Sequence, residues 1–281
     1  MVNTLRGFGL LAGLFLALAA MVSITSVQAQ ESTWEAIKDR GSIRLGATQA
    51  PPWYFKDPQS GEWSGFGVSV GKQMADTLDV DLEVVEVTWG TAIAALQADK
   101  IDIMFVLDAT PERALAVDFP ATPLLYYALA VLHDDDLDVK GWEDLNKPDI
   151  TVSVMQGTTI DSFVSAKLPE ANVLRFPTNS ETVAAYQSGR ADVASMFHPP
   201  LIALQKKVGR GKITLPTPIR ASASSAAIRK EEDKRWRDWV GTAISYYYDT
   251  GQTQVWYEEF LNDFGMDPGA VPPIIKELWP R

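Results

Sequence analysis

The sequence predicts an α/β fold built as two units, and three observations carry that prediction. Apolar runs of strand length alternate with helix-length patterns along most of the chain, as in a sheet with helices on its faces. Near the middle of the first unit an apolar stretch, 101–107, runs directly into helix-opening residues, Thr110-Pro111-Glu112-Arg113. The alternation then halts at a long apolar segment, 124–133, and an acidic run, Asp134-Asp135-Asp136-Leu137-Asp138, and begins again beyond it.

Ahead of the alternation, the N-terminus carries one charge, Arg6, then an apolar run over 8–22 and the small-residue ending Val27-Gln28-Ala29. This is the layout of a secretory signal peptide, with cleavage expected after Ala29. A membrane anchor is the competing reading, but an apolar run of about fifteen residues falls short of the roughly 20 that a spanning helix needs. Removing 29 of the 281 residues leaves 252, enough for one large or two modest domains, expected to be exported and soluble. The formal charge of −11 includes Arg6, so it becomes −12 after cleavage. So acidic a chain, with no basic cluster, argues against nucleic acid as a partner. Cysteine is absent, which excludes disulfides and thiolate chemistry alike.

From there the elements follow in order. Residues 32–41 form a short helix stopped by Gly41, and 42–47 a strand ended by Pro51-Pro52. After Trp53, Tyr54 and Phe55 comes a hairpin-like loop, Asp57-Pro58-Gln59-Ser60-Gly61. Residues 67–78 are helical in pattern, 81–87 a strand, 91–98 a helix and 101–107 a buried strand. Beyond the acidic run, read as a solvated turn because its spacing fits no EF-hand, strands at 150–155, 173–176 and 193–197 alternate with helices at 160–167 and 180–188. Ser222-Ala223-Ser224-Ser225 reads as a return crossing, with 226–229 rejoining the first unit. Amphipathic helices at 230–249 and 253–264 close the chain, and Trp236, Trp239, Val240 and Ile244 share one face, as core residues do.

The chemistry gathers at the end of the 101–107 strand. Thr110 is placed to cap, Pro111 to open and Glu112 to favour a helix start, which puts Arg113 in its first turn beside free backbone N–H groups. Strand ends in open α/β sheets are where small ligands bind, and a guanidinium beside such amides suits a carboxylate. A plain surface arginine is the other reading of the same spacing. His133 and His198 are far apart, and no metal cluster or nucleophile elbow is present, so no cofactor is expected.

Several motifs stand in a recognisable order: D-K-I-D-I-M at 99–104, T-P-E-R-A at 110–114, V-D-F at 117–119, G-A-T-Q-A-P-P-W at 46–53, G-E-W-S-G-F-G-V-S-V at 61–70, W-G-T-A-I-A-A-L-Q-A at 89–98, V-M-Q-G-T-T at 154–159, Y-Q-S-G-R-A-D-V-A at 186–194 and A-I-R-K-E-E at 227–232. Together they resemble the polar amino-acid-binding family of periplasmic solute-binding proteins, receptors of ABC importers. The resemblance implies a type II two-lobe periplasmic-binding-protein fold, with two crossing strands and a ligand cleft that closes by hinge bending. Lobe 1 is expected at 30–131 and 223–281, and lobe 2 at 132–222. The implied partners are a small amino-acid-like solute and a membrane permease, with the protein itself a monomer in the periplasm.

Carried onto these residues, the resemblance makes Arg113 the carboxylate-binding arginine. It makes Thr159 the second-lobe threonine whose backbone N–H closes on the same carboxylate. Phe197 falls where the family has an ammonium-binding aspartate, so the usual clamp is missing. Asp108 stands where serine or threonine is common; it either takes over the ammonium contact or caps the helix or pairs with Arg113. Trp53, Trp89 and Phe105, with Phe197, match or neighbour cleft-facing positions, whereas Ala50 sits where an aromatic lid is usual. The rival function is a periplasmic enzyme resembling cyclohexadienyl dehydratase. Its general acid would be a glutamate near position 200, where this chain has Pro200, which transfers no proton. A receptor presenting ligand to a sensor protein is a third reading.

Overall fold

The computed structural model describes residues 31–278; the expected signal peptide and its cleavage site lie outside the described residues. Helix α1 (Thr33–Arg40) begins where the Ser32 hydroxyl accepts from the Glu35 N–H, and it stops at Gly41, whose φ of 71° is the left-handed cap that glycine supplies without strain. Strand β1 (Ser42–Ala47) follows, and the short strands β2 (Phe55–Lys56) and β3 (Trp63–Ser64) form a separate hairpin. Next come α2 (Phe66–Leu78), β4 (Asp81–Glu86), α3 (Ala92–Gln97), β5 (Ile103–Leu107), β6 (Val117–Asp118) and β7 (Leu125–His133). Strand β8 (Thr151–Met155), α4 (Thr159–Lys167), β9 (Asn172–Phe176), α5 (Asn179–Gln187), β10 (Val193–Phe197), α6 (His198–Val208) and β11 (Lys212–Thr214) make the second series. Strand β12 (Ala221–Arg229) and helices α7 (Arg235–Asp249) and α8 (Gln252–Asp263) return to the first.

The strand order β4-β1-β5-β12-β7-β10-β8-β9 explains the two-lobe architecture. One lobe's sheet has β1 parallel to β4 and β5; the other has β8 parallel to β9 and β10. Two nine-residue strands join them. The first half of β7 pairs antiparallel with β12, through Leu125↔Ser224 to Ala128↔Ala221, while its second half, Leu129 to His133, pairs with β10. Conversely, β12 pairs with β7 through Ala221–Ser224 and with β5 and β6 beyond it. These are the crossing strands, and the alanine and serine run of β12 leaves little side-chain bulk where the lobes meet.

Packing of the first lobe rests on the C-terminal helices. Trp236 is fully buried, stacks on Trp239 at 5.6 Å and 10°, and donates from Nε1 to the Asp102 carbonyl at 3.2 Å. The Asp102 carboxylate, also buried, accepts from the Arg44 backbone N–H at 2.7 Å and pairs with the guanidinium groups of Arg40 and Arg44, which compensates a charge that would otherwise be costly to bury.

Two expectations differ from the structure. The helix expected after Thr110 is only a three-residue 3-10 turn, Arg113–Leu115; the Thr110 hydroxyl does accept from the Arg113 N–H at 3.1 Å, but the chain turns into β6 at once. Helix α6 had no counterpart in the pattern, although Pro199 and Pro200 occupy its first turn, where a missing N–H costs nothing.

Candidate ligand-binding site

The site begins with a distortion in β5. Val106 has φ of 64°, a left-handed conformation that a β-branched residue adopts only when its surroundings impose it, and the pairing of β5 with β12 shifts register at the same place, between Ser225 and Ala226. The imposing group is Tyr54, fully buried, whose hydroxyl donates to the Phe105 carbonyl at 3.1 Å and accepts from the Phe105 N–H at 3.0 Å. The bulge delivers Val106, Leu107 and Asp108 to a cavity with about 440 Å³ of empty space, part of it open to solvent, and it leaves Phe105 behind in the core. Phe105 was expected at the cleft; instead it is fully buried and does not line the cavity, because its backbone is spent on Tyr54.

The other expected residues, Trp53, Trp89, Asp108, Arg113, Thr159 and Phe197, all line this one cavity. Asp108 is 5% exposed and its two oxygens are each held: Oδ1 accepts from the Tyr127 hydroxyl at 2.6 Å and Oδ2 from the Thr159 hydroxyl. Burial first, then the Asp108 carboxylate, push the Tyr127 phenol well above its ordinary pKa, so Tyr127 remains a donor at any working pH. Arg113 donates from Nη1 to the Asp108 carbonyl at 3.1 Å, not to its carboxylate. Among the described residues Arg113 makes no ion pair, so its charge is available to a ligand.

The second lobe meets this cluster at the start of α4. Thr158 caps that helix, its hydroxyl accepting from the Asp161 N–H at 3.3 Å, and the first-turn N–H groups at Thr159 and Ile160 have no partner within the helix. Asp161, paired with Arg175 at 2.9 Å, also accepts from the Gly157 N–H at 3.3 Å and fixes the loop. Across the cavity the Gly157 carbonyl lies 3.5 Å from Arg113 Nη2, and a Cβ on Gly157, whose φ is 72°, would stand 3.4 Å from Gly90 Cα. The two lobes therefore touch backbone to backbone beside the site. Thr159 was expected to act through its N–H; its hydroxyl is also engaged, on Asp108.

Aromatic rings make the walls. Phe197 stacks on Tyr127 at 3.8 Å and 27°, and Trp53 stacks on Tyr257 at 6.0 Å and 24°. Ala50 is buried away from the cavity, bridging to Tyr54. Pro200 lines the cavity, and His198 does not. His198 is structural: its Nδ1 accepts from the Ala128 N–H of β7 at 3.1 Å, and burial holds its pKa down at about 4. Sequence reasoning missed Asn179 and Tyr127, which also line the cavity. The Thr178-Asn179-Ser180-Glu181 pattern could have drawn attention to Asn179, because Thr178 takes the capping role, with its hydroxyl accepting from the Glu181 N–H at 3.2 Å, and leaves the Asn179 amide without one.

Comparison with known proteins agrees with this architecture. The family model for bacterial extracellular solute-binding proteins, family 3, matches residues 43–263. The ABC transporter glutamine-binding protein GlnH of Bacillus subtilis is 33% identical over 174 residues, 59% of this chain and 62% of that protein, so the match spans less than two thirds of the relative. Cyclohexadienyl dehydratase of Pseudomonas aeruginosa is 24% identical over 209 residues, 67% of this chain and 75% of the enzyme. Among solved structures, an ancestral amino-acid-binding protein described as a precursor of cyclohexadienyl dehydratase superposes with a TM-score of 0.73 at 33% identity, covering 82% of this chain and 99% of that one. With the family model covering most of its length and the two-lobe fold in place, the chain belongs to the family 3 bacterial extracellular solute-binding proteins.

Proposed function

We propose that this protein is the periplasmic substrate-binding component of an ABC importer, that it captures an amino-acid-like solute between its lobes, and that it delivers the solute to a membrane permease. One observation carries the reading: an otherwise uncharged, largely apolar cavity holds one cation without an ion pair, Arg113, and one buried carboxylate, Asp108. That is the complement of a zwitterion. The ligand carboxylate lies on Arg113 and the N–H groups at the start of α4, and the ammonium on Asp108, whose oxygens each keep a lone pair beyond those given to Tyr127 and Thr159. The proposed division, lobe 1 at 30–131 and 223–281 and lobe 2 at 132–222, is supported by β7 and β12 each pairing into both sheets. Closure couples to binding because Asp108 and Arg113 belong to the first lobe and Thr159 to the second. The signal peptide routes the chain to the periplasm, where it acts as a monomer.

The relationship to cyclohexadienyl dehydratase raises an enzymatic alternative. Eliminating water needs a general acid at the leaving group, and Pro200 supplies none where the resemblance put one. Asp108, the one carboxyl lining the cavity, is already bonded through both oxygens. We therefore read the protein as a receptor without catalysis. Thermal unfolding of the mature protein, stripped of carried-over ligand by partial unfolding and dialysis, tests this against a panel of amino acids, amines and carboxylates. An amino acid at 100 times its Kd should add about 2.7 kcal/mol of stability. Consumption of prephenate or arogenate, with no amino acid shifting the midpoint, would overturn the reading.

A further inference from the structure

Three buried polar atoms on residues that line the cavity have no hydrogen-bond partner among the described residues. Asn179 is 2% exposed, and neither its Oδ1 nor its Nδ2 has a hydrogen-bond partner among the described residues. Trp89 is 8% exposed, and its Nε1 is likewise unpartnered. Both side chains line the same cavity, one from each lobe: Trp89 lies between β4 and α3, and Asn179 opens α5. An unsatisfied buried polar atom costs about 1–3 kcal/mol, so three around one cavity mark a place where a ligand completes the bonding. The usual reason for an asparagine at a helix start does not apply, since Thr178 already caps α5.

Resting on the receptor reading above, we propose that Asn179 and Trp89 recognise the end of the ligand's side chain, and that this end is an uncharged carboxamide. With the ligand's α-carboxylate on Arg113 and its ammonium on Asp108, what remains is one acceptor and two donors from Asn179 and one donor from Trp89. A carboxamide engages all three atoms: its NH₂ donates to Asn179 Oδ1, and its oxygen accepts one N–H from Asn179 Nδ2 and one from Trp89 Nε1, leaving a single Nδ2 hydrogen over. An ammonium or guanidinium end has donors only; it would leave Nδ2 and Nε1 unmet and finds no second carboxylate in the lining. A carboxylate end has acceptors only, leaves Oδ1 unmet, and finds no second cation. An aliphatic or thioether end satisfies none of the three atoms. Because the two readers come from opposite lobes, the closed form is selected by the same contacts that select the ligand.

The test is isothermal titration of the stripped, mature protein with L-glutamine and L-asparagine, against L-methionine, L-glutamate and L-lysine. A carboxamide amino acid should bind at least about 10-fold more tightly than the other three, since sites built to hydrogen-bond a ligand group reject analogues lacking it. Asn179→Leu and, separately, Trp89→Phe should each reduce the carboxamide-over-methionine affinity ratio about 10-fold. Asn179→Asp keeps the side chain's shape and decides the matter if the leucine variant fails to fold; it should also lose the preference. A preference for a charged or aliphatic amino acid, or a carboxamide preference unchanged in all the variants, overturns the inference while leaving the receptor reading intact. Absence of binding by any amino acid overturns both.

Discussion

The carboxyl ends of β5 and β10 reach the same cavity from opposite lobes, and they are built on different chemistry. At β5 the chain is distorted at Val106 beside Tyr54, then presents Asp108 and Arg113 within six residues, with the Asp108 carboxylate held by the Tyr127 and Thr159 hydroxyls. At β10 the strand passes straight into α6 through Phe197, His198, Pro199 and Pro200, and nothing charged faces the ligand. Both ionic handles for a zwitterion thus sit on one lobe, while the other contributes helix N–H groups, a ring and an amide. On the proposed reading the difference is a division of labour: the β5 end would capture the charged head of the ligand, and the second lobe would close over it by shape and neutral hydrogen bonds.

The largest expected effect breaks the β5 end directly. Arg113→Ala should weaken binding of the preferred amino acid by at least about 100-fold in a calorimetric titration, the scale for truncating one side of a buried, hydrogen-bonded charge pair. At the β10 end sits His198, which answers to pH instead of ligand. Its folded pKa of about 4 lies below the ordinary 6.5, so its contribution to stability is complete above pH 6.5 and is lost as the pH falls toward 4. The loss amounts to about 3 kcal/mol, readable by urea unfolding between pH 7 and 4. His198→Asn, which keeps an acceptor for the Ala128 N–H, should flatten that part of the profile.

Smaller changes sharpen the contrast. A Cβ on Gly67 would stand 2.3 Å from the Tyr54 ring, so Gly67→Ala should push the ring off Phe105 and cost about 1–3 kcal/mol of stability, with a weaker ligand response because the bulge that aims Asp108 is loosened. Phe197→Leu removes the stack on Tyr127 and should lower affinity by severalfold, about 0.5–1.5 kcal/mol, without altering which charged groups the ligand needs.

Much of this was legible in the sequence, for reasons that differ by region. The strand and helix patterns are local, so β1 and β10 match the expected spans to the residue, and Arg113 and Asp108 were found because they follow an apolar strand in a short motif. The displacement of Phe105 was not legible: the resemblance puts it at or beside a cleft-facing position, and the bulge that moves it is tied to Tyr54, fifty-one positions away. Helix α6 was hidden because two prolines read as a turn when their position in a first helical turn is unknown. Asn179 was overlooked for the opposite reason, since asparagine beside a threonine at a helix start is ordinary until the structure shows both amide atoms unused.

The central claim is that Arg113 and Asp108 together recognise the two charges of an α-amino acid. The direct measurement is calorimetric titration of the stripped protein, and of its Asp108→Asn variant, with the best-binding amino acid, its decarboxylated amine and its α-hydroxy acid analogue. The account predicts that both analogues bind the unaltered protein at least about 10-fold more weakly, and that Asp108→Asn erodes the preference for the amino acid over the hydroxy acid. Equal binding of the amino acid and the hydroxy acid would contradict it, because no ammonium would then be recognised and the buried Asp108 would serve only to join the lobes.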